Sequence, residues 1–268
     1  MKYALVTGAA KGIGKSIAIE LAAREYGLLL IDIDKEQLDV IARKIQGDYN
    51  IPVEVFGTDL SHNESAQQIF SWTSSWHNQL QLLVNNAAFG LNGAFEKLSL
   101  PEQLDIVNVN IKAVVALCHL FIPVLKNQNK AYILNIGSNA GYQPVPYLTM
   151  YAASKAFIIS FTRGLRYELR RSNIHVSCVS PGSTDTHFVD RAGMGESIRK
   201  TATRYNMTPE AVAKIAVDAV FKRKAEAITG ASTRLGIALS WLAPKSWAEK
   251  FGADIFGASE KEKAVDKN

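Results

Sequence analysis

At 268 residues, with 47% hydrophobic and 21% charged side chains, the chain has the composition of a soluble globular protein able to bury a large core. Its formal charge of +5 is mild, and no dense Lys/Arg block interleaved with aromatics occurs, which argues against a nucleic-acid partner. The two cysteines and five histidines show no metal-ligand spacing, so no metal is expected, and two free thiols fit a cytoplasmic protein.

Residues 2–7 predict a short buried strand, too brief an apolar run for a secretory leader. Gly12 to Arg24 predicts a helix, with Ile13, Ile17, Ala18 and Leu21 on its apolar face. Between them lies Thr7-Gly8-Ala9-Ala10-Lys11-Gly12-Ile13-Gly14. A strand, a glycine turn and a helix start form a phosphate site, because backbone N–H groups there face an anion. The spacing is Gly-x-x-x-Gly-x-Gly rather than Gly-x-Gly-x-x-Gly, and a plain tight connection is the alternative. Leu28 to Asp32 predicts a second strand that ends in a carboxylate, where a dinucleotide fold grips ribose hydroxyls. Asp34, with Gln37 three residues on, reads as a helix cap.

A third strand, Val53 to Phe56, leads to Asp59-Leu60, and Ser61 with Glu64 predicts a capping box for a helix reaching Trp76. Leu82 to Val84 predicts a fourth strand, closed by Asn85-Asn86-Ala87-Ala88. Ser99 with Glu102 predicts the cap of one long helix through Leu125, which carries Asn110. Its most apolar part, Ala113 to Leu125, contains His119 and Pro123 and is expected to be a buried helix rather than a membrane span. Tyr132 to Ile136 is a fifth strand, followed by Gly137-Ser138-Asn139-Ala140-Gly141. A helix carrying Tyr151 and Lys155 runs to about Arg171, and Ile174 to Val179 is a sixth strand ending at Ser180-Pro181-Gly182. Thr208-Pro209 opens a further helix, and a seventh strand falls around Ala227-Ile228. This alternation predicts a parallel sheet covered on both faces, a doubly wound α/β domain.

Tyr151 and Lys155 stand four apart on one helical face. An ammonium about 5 Å from a phenol stabilises the phenolate by roughly 3 kcal/mol at an effective dielectric of ~20, enough to make it a general acid/base. By itself such a pair also arises by chance.

Taken together, the motifs resemble the short-chain dehydrogenase/reductase family over about residues 1–190. Thr7 through Gly14 is similar to its Thr-Gly-x-x-x-Gly-x-Gly loop, and Asp59-Leu60 to its adenine-contacting pair. Asn85-Asn86-Ala87-Ala88 resembles its Asn-Asn-Ala-Gly element, with Ala in place of the last Gly. Asn110 falls on the family's catalytic Asn, and Ser138, thirteen residues before Tyr151, on its catalytic Ser. Pro181, Gly182, Thr184 and Thr186 correspond to its Pro-Gly segment. The resemblance implies a Rossmann-type fold and hydride transfer between a nicotinamide and a carbonyl or alcohol carbon. Tyr151 would exchange the proton, Ser138 would hold the substrate oxygen, and Lys155 would bind the ribose and lower the Tyr151 pKa. Asn110 would anchor a water linking Lys155 to solvent.

Asp32 repels a 2′-phosphate, so NAD is the expected cofactor, while Lys11 leaves NADP possible. A serine hydrolase would need Gly-x-Ser-x-Gly, and Gly137-Ser138-Asn139-Ala140-Gly141 misses it. A non-catalytic nucleotide-binding scaffold or sensor is the alternative from another class, although the four catalytic residue types are all kept. Val114, Val115, Leu117, Leu120, Phe121 and Ile122 make their helix too apolar for a monomer surface, with Phe157, Ile158 and Phe161 on the next helix, and the family resemblance implies pairing through these two helices, a homodimer or homotetramer. Residues 1–230 read as the catalytic domain and 231–268 as a C-terminal helical extension packed on it. The extension's stripe Trp247, Phe251, Ile255 packs on the domain, walls an apolar substrate pocket, or rests peripherally on a membrane with Lys245 and Lys250 at the headgroups. A hydrophobic carbonyl or alcohol substrate is the expectation.

Overall fold

The computed structural model describes residues 1–184, 188–195, 207–242 and 244–257. Seven parallel strands form one sheet: β1 (Lys2–Thr7), β2 (Tyr26–Asp32), β3 (Val53–Gly57), β4 (Leu80–Asn85), β5 (Ala131–Ile136), β6 (Ile174–Ser180) and β7 (Glu226–Ile228). Their order is β3-β2-β1-β4-β5-β6-β7. The helices, among the described residues, are α1 (Gly12–Ala22), α2 (Lys35–Tyr49), α3 (Ser65–Trp72), α4 (Leu100–Val107), α5 (Ala113–Lys126), α6 (Thr149–Glu168), α7 (Phe188–Arg191), α8 (Pro209–Phe221), α9 (Ala231–Leu242) and α10 (Lys245–Phe256).

Successive side chains on a strand point to opposite faces, and here both faces are buried. Ala4, Val6, Leu28, Leu30, Val84 and Leu134 meet α1, α2 and α8 in one core. Tyr3, Leu5, Leu29, Ile31, Leu83 and Ile133 meet α3, α5 and α6 in the other. Strand order reverses between β1 and β4, so the chain leaves their C-terminal ends in opposite directions and opens a crevice there.

The boundaries depart from expectation where a side chain intervenes. Helix α1 stops at Ala22 rather than Arg24, because Glu25 turns left-handed (φ 62°) and Arg24 reaches out to Glu20 and Asp218. β2 begins at Tyr26, two residues before the apolar run, with Gly27 in contact with the Tyr3 ring. The capping box at Ser61 and Glu64 does not form. Asp59 Oδ1 instead accepts the Ser61 N–H at 2.8 Å, an Asx turn that delays the helix to Ser65 and leaves Glu64 as a cap without a side-chain bond. That helix ends at Trp72, followed by a 3₁₀ turn over Thr73–Trp76. Ser99 stands at the start of α4 but makes no capping bond either. Asp34 and Thr208 do cap, accepting from Gln37 N and Ala211 N.

The expected long helix is interrupted. A π-helical turn over Asn108–Lys112 joins α4 to α5. The run Leu100–Lys126 is long and apolar enough, by length and composition, to cross a bilayer. Here its inner face, with Leu117, Phe121 and Leu125, fills the core beneath the sheet.

Candidate active site

The crevice between β1 and β4 is closed by backbone contact. Gly8 (φ 66°) and Gly12 (φ 55°) occupy left-handed conformations that only glycine adopts without strain. A Cβ on Gly14 would lie 1.9 Å from the Gly8 carbonyl oxygen, so helix α1 starts directly against the loop. Asn86 holds the loop from the β4 side: its Nδ2 donates to the carbonyls of Thr7 (2.9 Å) and Gly8 (3.0 Å). Thr7 Oγ1 in turn accepts the backbone N–H groups of Asn86 and Ala87.

Asp32, at the end of β2, has a structural task that its position in the sequence does not reveal. Its Oδ2 accepts Ala10 N at 2.9 Å and its Oδ1 accepts Asp34 N at 3.0 Å, which ties the loop to β2. Each oxygen keeps a lone-pair site for a further donor. Lys11 is paired with Asp34 Oδ2 at 2.7 Å. That bond is the main reason the Asp34 carboxyl sits below its ordinary pKa, followed by its cap bond to Gln37.

Ser138 leaves the end of β5 in an extended conformation; its Oγ accepts Ala140 N at 3.2 Å and donates to Asn139 Oδ1. Tyr151 and Lys155 share one face of α6, with the ammonium 5.7 Å from the centre of the phenol ring. Lys155 is buried and donates to the Ile136 carbonyl at 2.8 Å. Asn110 stands behind this group: its Oδ1 accepts Phe89 N, and its Nδ2 donates to Phe89 O and Ser154 Oγ. Ser154 Oγ donates to the Tyr151 carbonyl, so Asn110 braces the first turn of α6.

Burial decides the protonation of this group. Desolvation pushes Tyr151 up to about 12, against a hydrogen bond with Ser138 that lowers it. The expected lowering by Lys155 does not prevail. Desolvation also pushes Lys155 down to about 8, with the Cys178 thiol acting the other way.

A cleft of about 910 Å³ unites these parts. Gly8, Lys11, Gly12, Ile13 and Asp32 line one end, joined by Asp59, Leu60, Asn86 and Ala87. Ser138, Tyr151, Lys155, Pro181, Gly182 and Thr184 line the other. Gly14 and Asn110 support the cleft from beneath, and Thr186 lies outside the described residues, as does most of the segment Asp185 to Met207. Motifs gave no warning of the apolar roof. Phe188 of α7 lies 4.7 Å from the Tyr151 ring, centre to centre, and Val145, Leu148 and Met194 pack beside it. From α10, Phe251, Gly252, Ile255 and Phe256 also line the cleft, and only the Trp247–Phe251–Ile255 periodicity hinted at this.

The model of the family described as short chain dehydrogenase matches residues 2–197. The chain belongs to the short-chain dehydrogenase/reductase family. It is 32% identical over 219 residues to an uncharacterized oxidoreductase of Staphylococcus saprophyticus, covering 82% of this chain and 91% of that one. It is 37% identical over 185 residues to a very-long-chain 3-oxoacyl-CoA reductase of Anas platyrhynchos, covering 67% of this chain but only 58% of that longer protein. Among solved structures, a short-chain dehydrogenase from Sphingobium yanoikuyae in complex with NADPH superposes with a TM-score of 0.78. That pair is 26% identical and covers 90% of this chain and 93% of the other.

In this short-chain dehydrogenase the glycine loop, too tight at Gly8 and Gly14 for any Cβ, fits close backbone approach to a pyrophosphate. Lys155 has a pH signature of its own. Its folded pKa, about 8, lies below the ordinary 10.5, so the buried ammonium destabilises the fold at neutral pH and relief comes as pH rises from 8 to 10.5. Above about 10 the raised Tyr151 pKa works in the opposite sense, since the folded state then disfavours phenolate formation. Denaturation of Lys155→Met alongside wild type should therefore show the largest advantage for the variant near pH 7, shrinking towards pH 10.5 by on the order of 3 kcal/mol. A gap that stays constant across this range would contradict the assigned burial cost.

Proposed function

We propose that the protein interconverts a carbonyl and a secondary alcohol on a hydrophobic substrate by hydride transfer, with NAD(H) preferred over NADP(H). One observation carries the reading. The half-buried phenol of Tyr151, with Ser138 and Lys155 beside it, lines the same cleft as the glycine loop. When bound, the nicotinamide supplies or accepts the hydride. Every other part belongs to the chain. The loop from Gly8 to Gly14 would hold the pyrophosphate, Asp32 the adenosine ribose, and Asp59 with Leu60 the adenine. Lys155, with one N–H spent on Ile136, keeps two donors for ribose hydroxyls. Ser138 orients the substrate oxygen, and Tyr151 moves a proton at its phenolic oxygen. A phenol held protonated at neutral pH is the form that carbonyl reduction needs.

The apolar reading of the substrate rests on the roof formed by Val145, Leu148, Phe188, Met194, Ile255 and Phe256. The similarity to a very-long-chain 3-oxoacyl-CoA reductase points the same way. Replacing Tyr151 with Phe should remove at least ~99% of turnover on a competent apolar ketone, as expected for loss of a general acid. Cofactor affinity, followed by nucleotide fluorescence, should change little. A Phe variant with wild-type turnover excludes the role assigned to Tyr151.

The cofactor preference rests on charge. Asp32 and Asp34 both line the cleft, and the only cation of the loop, Lys11, is already paired with Asp34. A 2′-phosphate would meet net negative charge there. kcat/KM should be higher with NADH than with NADPH, by roughly tenfold or more for ~1.4 kcal/mol of repulsion. Equal or better efficiency with NADPH, the nucleotide bound to the Sphingobium yanoikuyae structure, overturns this preference.

Assembly follows from what α4, α5 and α6 leave uncovered. Val114, Leu117 and Phe121, expected at an interface, are buried in the protein's own core instead. Leu104, Val115 and Phe157 are exposed, and Phe157 stacks with Phe161 across 5.8 Å. These side chains make an apolar face suited to a two-fold partner. Light scattering at micromolar concentration should give at least a dimeric mass, and Val115→Lys with Phe157→Lys should shift it towards monomer. A monomeric wild type counts against the pairing.

A further inference from the structure

The turn that carries Ser138 is squeezed between two surfaces. At its start, Gly137 N donates to Val179 O at 2.7 Å, and Asn139 N to Pro181 O at 2.9 Å. At Gly141 a Cβ would lie 2.7 Å from the carbonyl carbon of Lys155, so the turn rests on the α6 backbone at the lysine itself. The far end is held by one side chain. Tyr142 donates its hydroxyl to Glu226 Oε1 on β7 and lies 3.1 Å from Ser180 Oγ on β6. Glu226 Oε2 accepts Arg163 Nη1 of α6 at 2.7 Å. Cys178 of β6 completes the surroundings, 3.9 Å from Ser180 Oγ. Desolvation, then the bond to Glu226, raises the Tyr142 pKa, so the phenol stays a hydrogen-bond donor across the working range.

We propose that Tyr142 is a positioning residue for catalysis: through Glu226 and Ser180 it fixes the turn 139–142 and thereby the placement of the Ser138 hydroxyl against Tyr151. Tyr142 does not line the cleft, whereas Ser138, Asn139, Ala140 and Gln143 around it do. It therefore acts on substrate only through its neighbours. A hydroxyl in a turn has no regular secondary structure to hold it, and small displacements of catalytic groups cost large factors in rate. The clamp also joins the serine turn to α6 through Arg163, two helical turns beyond Lys155, so Ser138 and Lys155 share one support.

This inference rests on the reading of Ser138 and Tyr151 as the catalytic pair, and the test separates the two. In the full-length protein, Tyr142→Phe should lower kcat roughly ten- to a hundredfold, with nucleotide Kd within about twofold of wild type. Combining Tyr142→Phe with Ser138→Ala should cost little more than Ser138→Ala alone, because a hydroxyl already removed cannot be misplaced. A merely structural tyrosine would give additive losses, and additive losses overturn the proposal, as does wild-type kcat in Tyr142→Phe. Should Tyr142→Phe not fold, Glu226→Gln, which keeps an oxygen acceptor for Tyr142, and Glu226→Leu, which does not, take its place; equal kcat in those two overturns the clamp. If wild type reduces no carbonyl, the catalytic reading fails first. A crystal structure of Tyr142→Phe then decides the clamp: the bond from Ala140 N to Ser138 Oγ should be lost, and its retention refutes the proposal.

Discussion

The clasp between the ends of β1 and β4 is the constraint on which the site depends. Two adjacent parallel strands send their chains in opposite directions there, and nothing in the sheet's own ladder holds the outgoing loops together. Thr7 and Asn86 do so. The threonine hydroxyl donates to Val84 O and accepts two N–H groups from the β4 exit, while the asparagine amide donates to two carbonyls of the β1 exit. Five backbone groups are thus satisfied by two side chains in a place where water is largely excluded. Gly14 and Gly8 are in contact because this clasp leaves no space for a side chain at either. The close approach of backbone that a phosphate requires is a by-product of the same packing.

At the other end of the cleft, burial and charge compete, and burial prevails. Lys155 Nζ stands 5.7 Å from the centre of the Tyr151 ring, yet burial rather than the ammonium sets the phenol's shift. Removing both groups from water costs the charged form of each, so the phenol moves up and the ammonium down. The two shifts oppose the phenolate–ammonium pair that the spacing alone suggests, and favour phenol beside an ammonium that titrates at about 8. The Asn110 amide and the Ser154 hydroxyl add no charge to this balance; they hold the first turn of α6 through the Tyr151 carbonyl.

What could be read from the sequence is what local chemistry determines. The strand–glycine turn–helix order, the Asp34 and Thr208 caps and the four-residue spacing of Tyr151 and Lys155 need only neighbouring residues, and all appear in the fold. The failures arise where a competing side-chain bond or a distant contact wins. Asp59 captures the Ser61 N–H and delays α3, although Ser61-x-x-Glu64 satisfies the capping pattern. The π turn at Asn108–Lys112 adds a residue to a helix whose periodicity looks regular, and it carries Asn110, whose partners at Phe89 are 21 positions away. Tyr142 and Glu226 are 84 positions apart. No window of sequence contains both.

The same distinction separates the two ends of the cleft. The end lined by the glycine loop is assembled from consecutive βα exits, so its motifs are contiguous and recognisable. Its roof is assembled from segments that meet only after folding, and Asn92 joins three of them. Its backbone N–H donates to Ala192 O, its Nδ2 donates to Tyr147 O and Phe256 O, and Gly93 N also donates to Tyr147 O. One buried amide thus ties the end of α7, the loop before α6 and the end of α10 to the exit of β4. Apolar side chains hung on these segments can change size without disturbing these four hydrogen bonds, because each of the four is made to a backbone carbonyl. A roof built this way tolerates changes in its apolar side chains, while the clasp beneath, whose glycines and side-chain amide have no such freedom, does not.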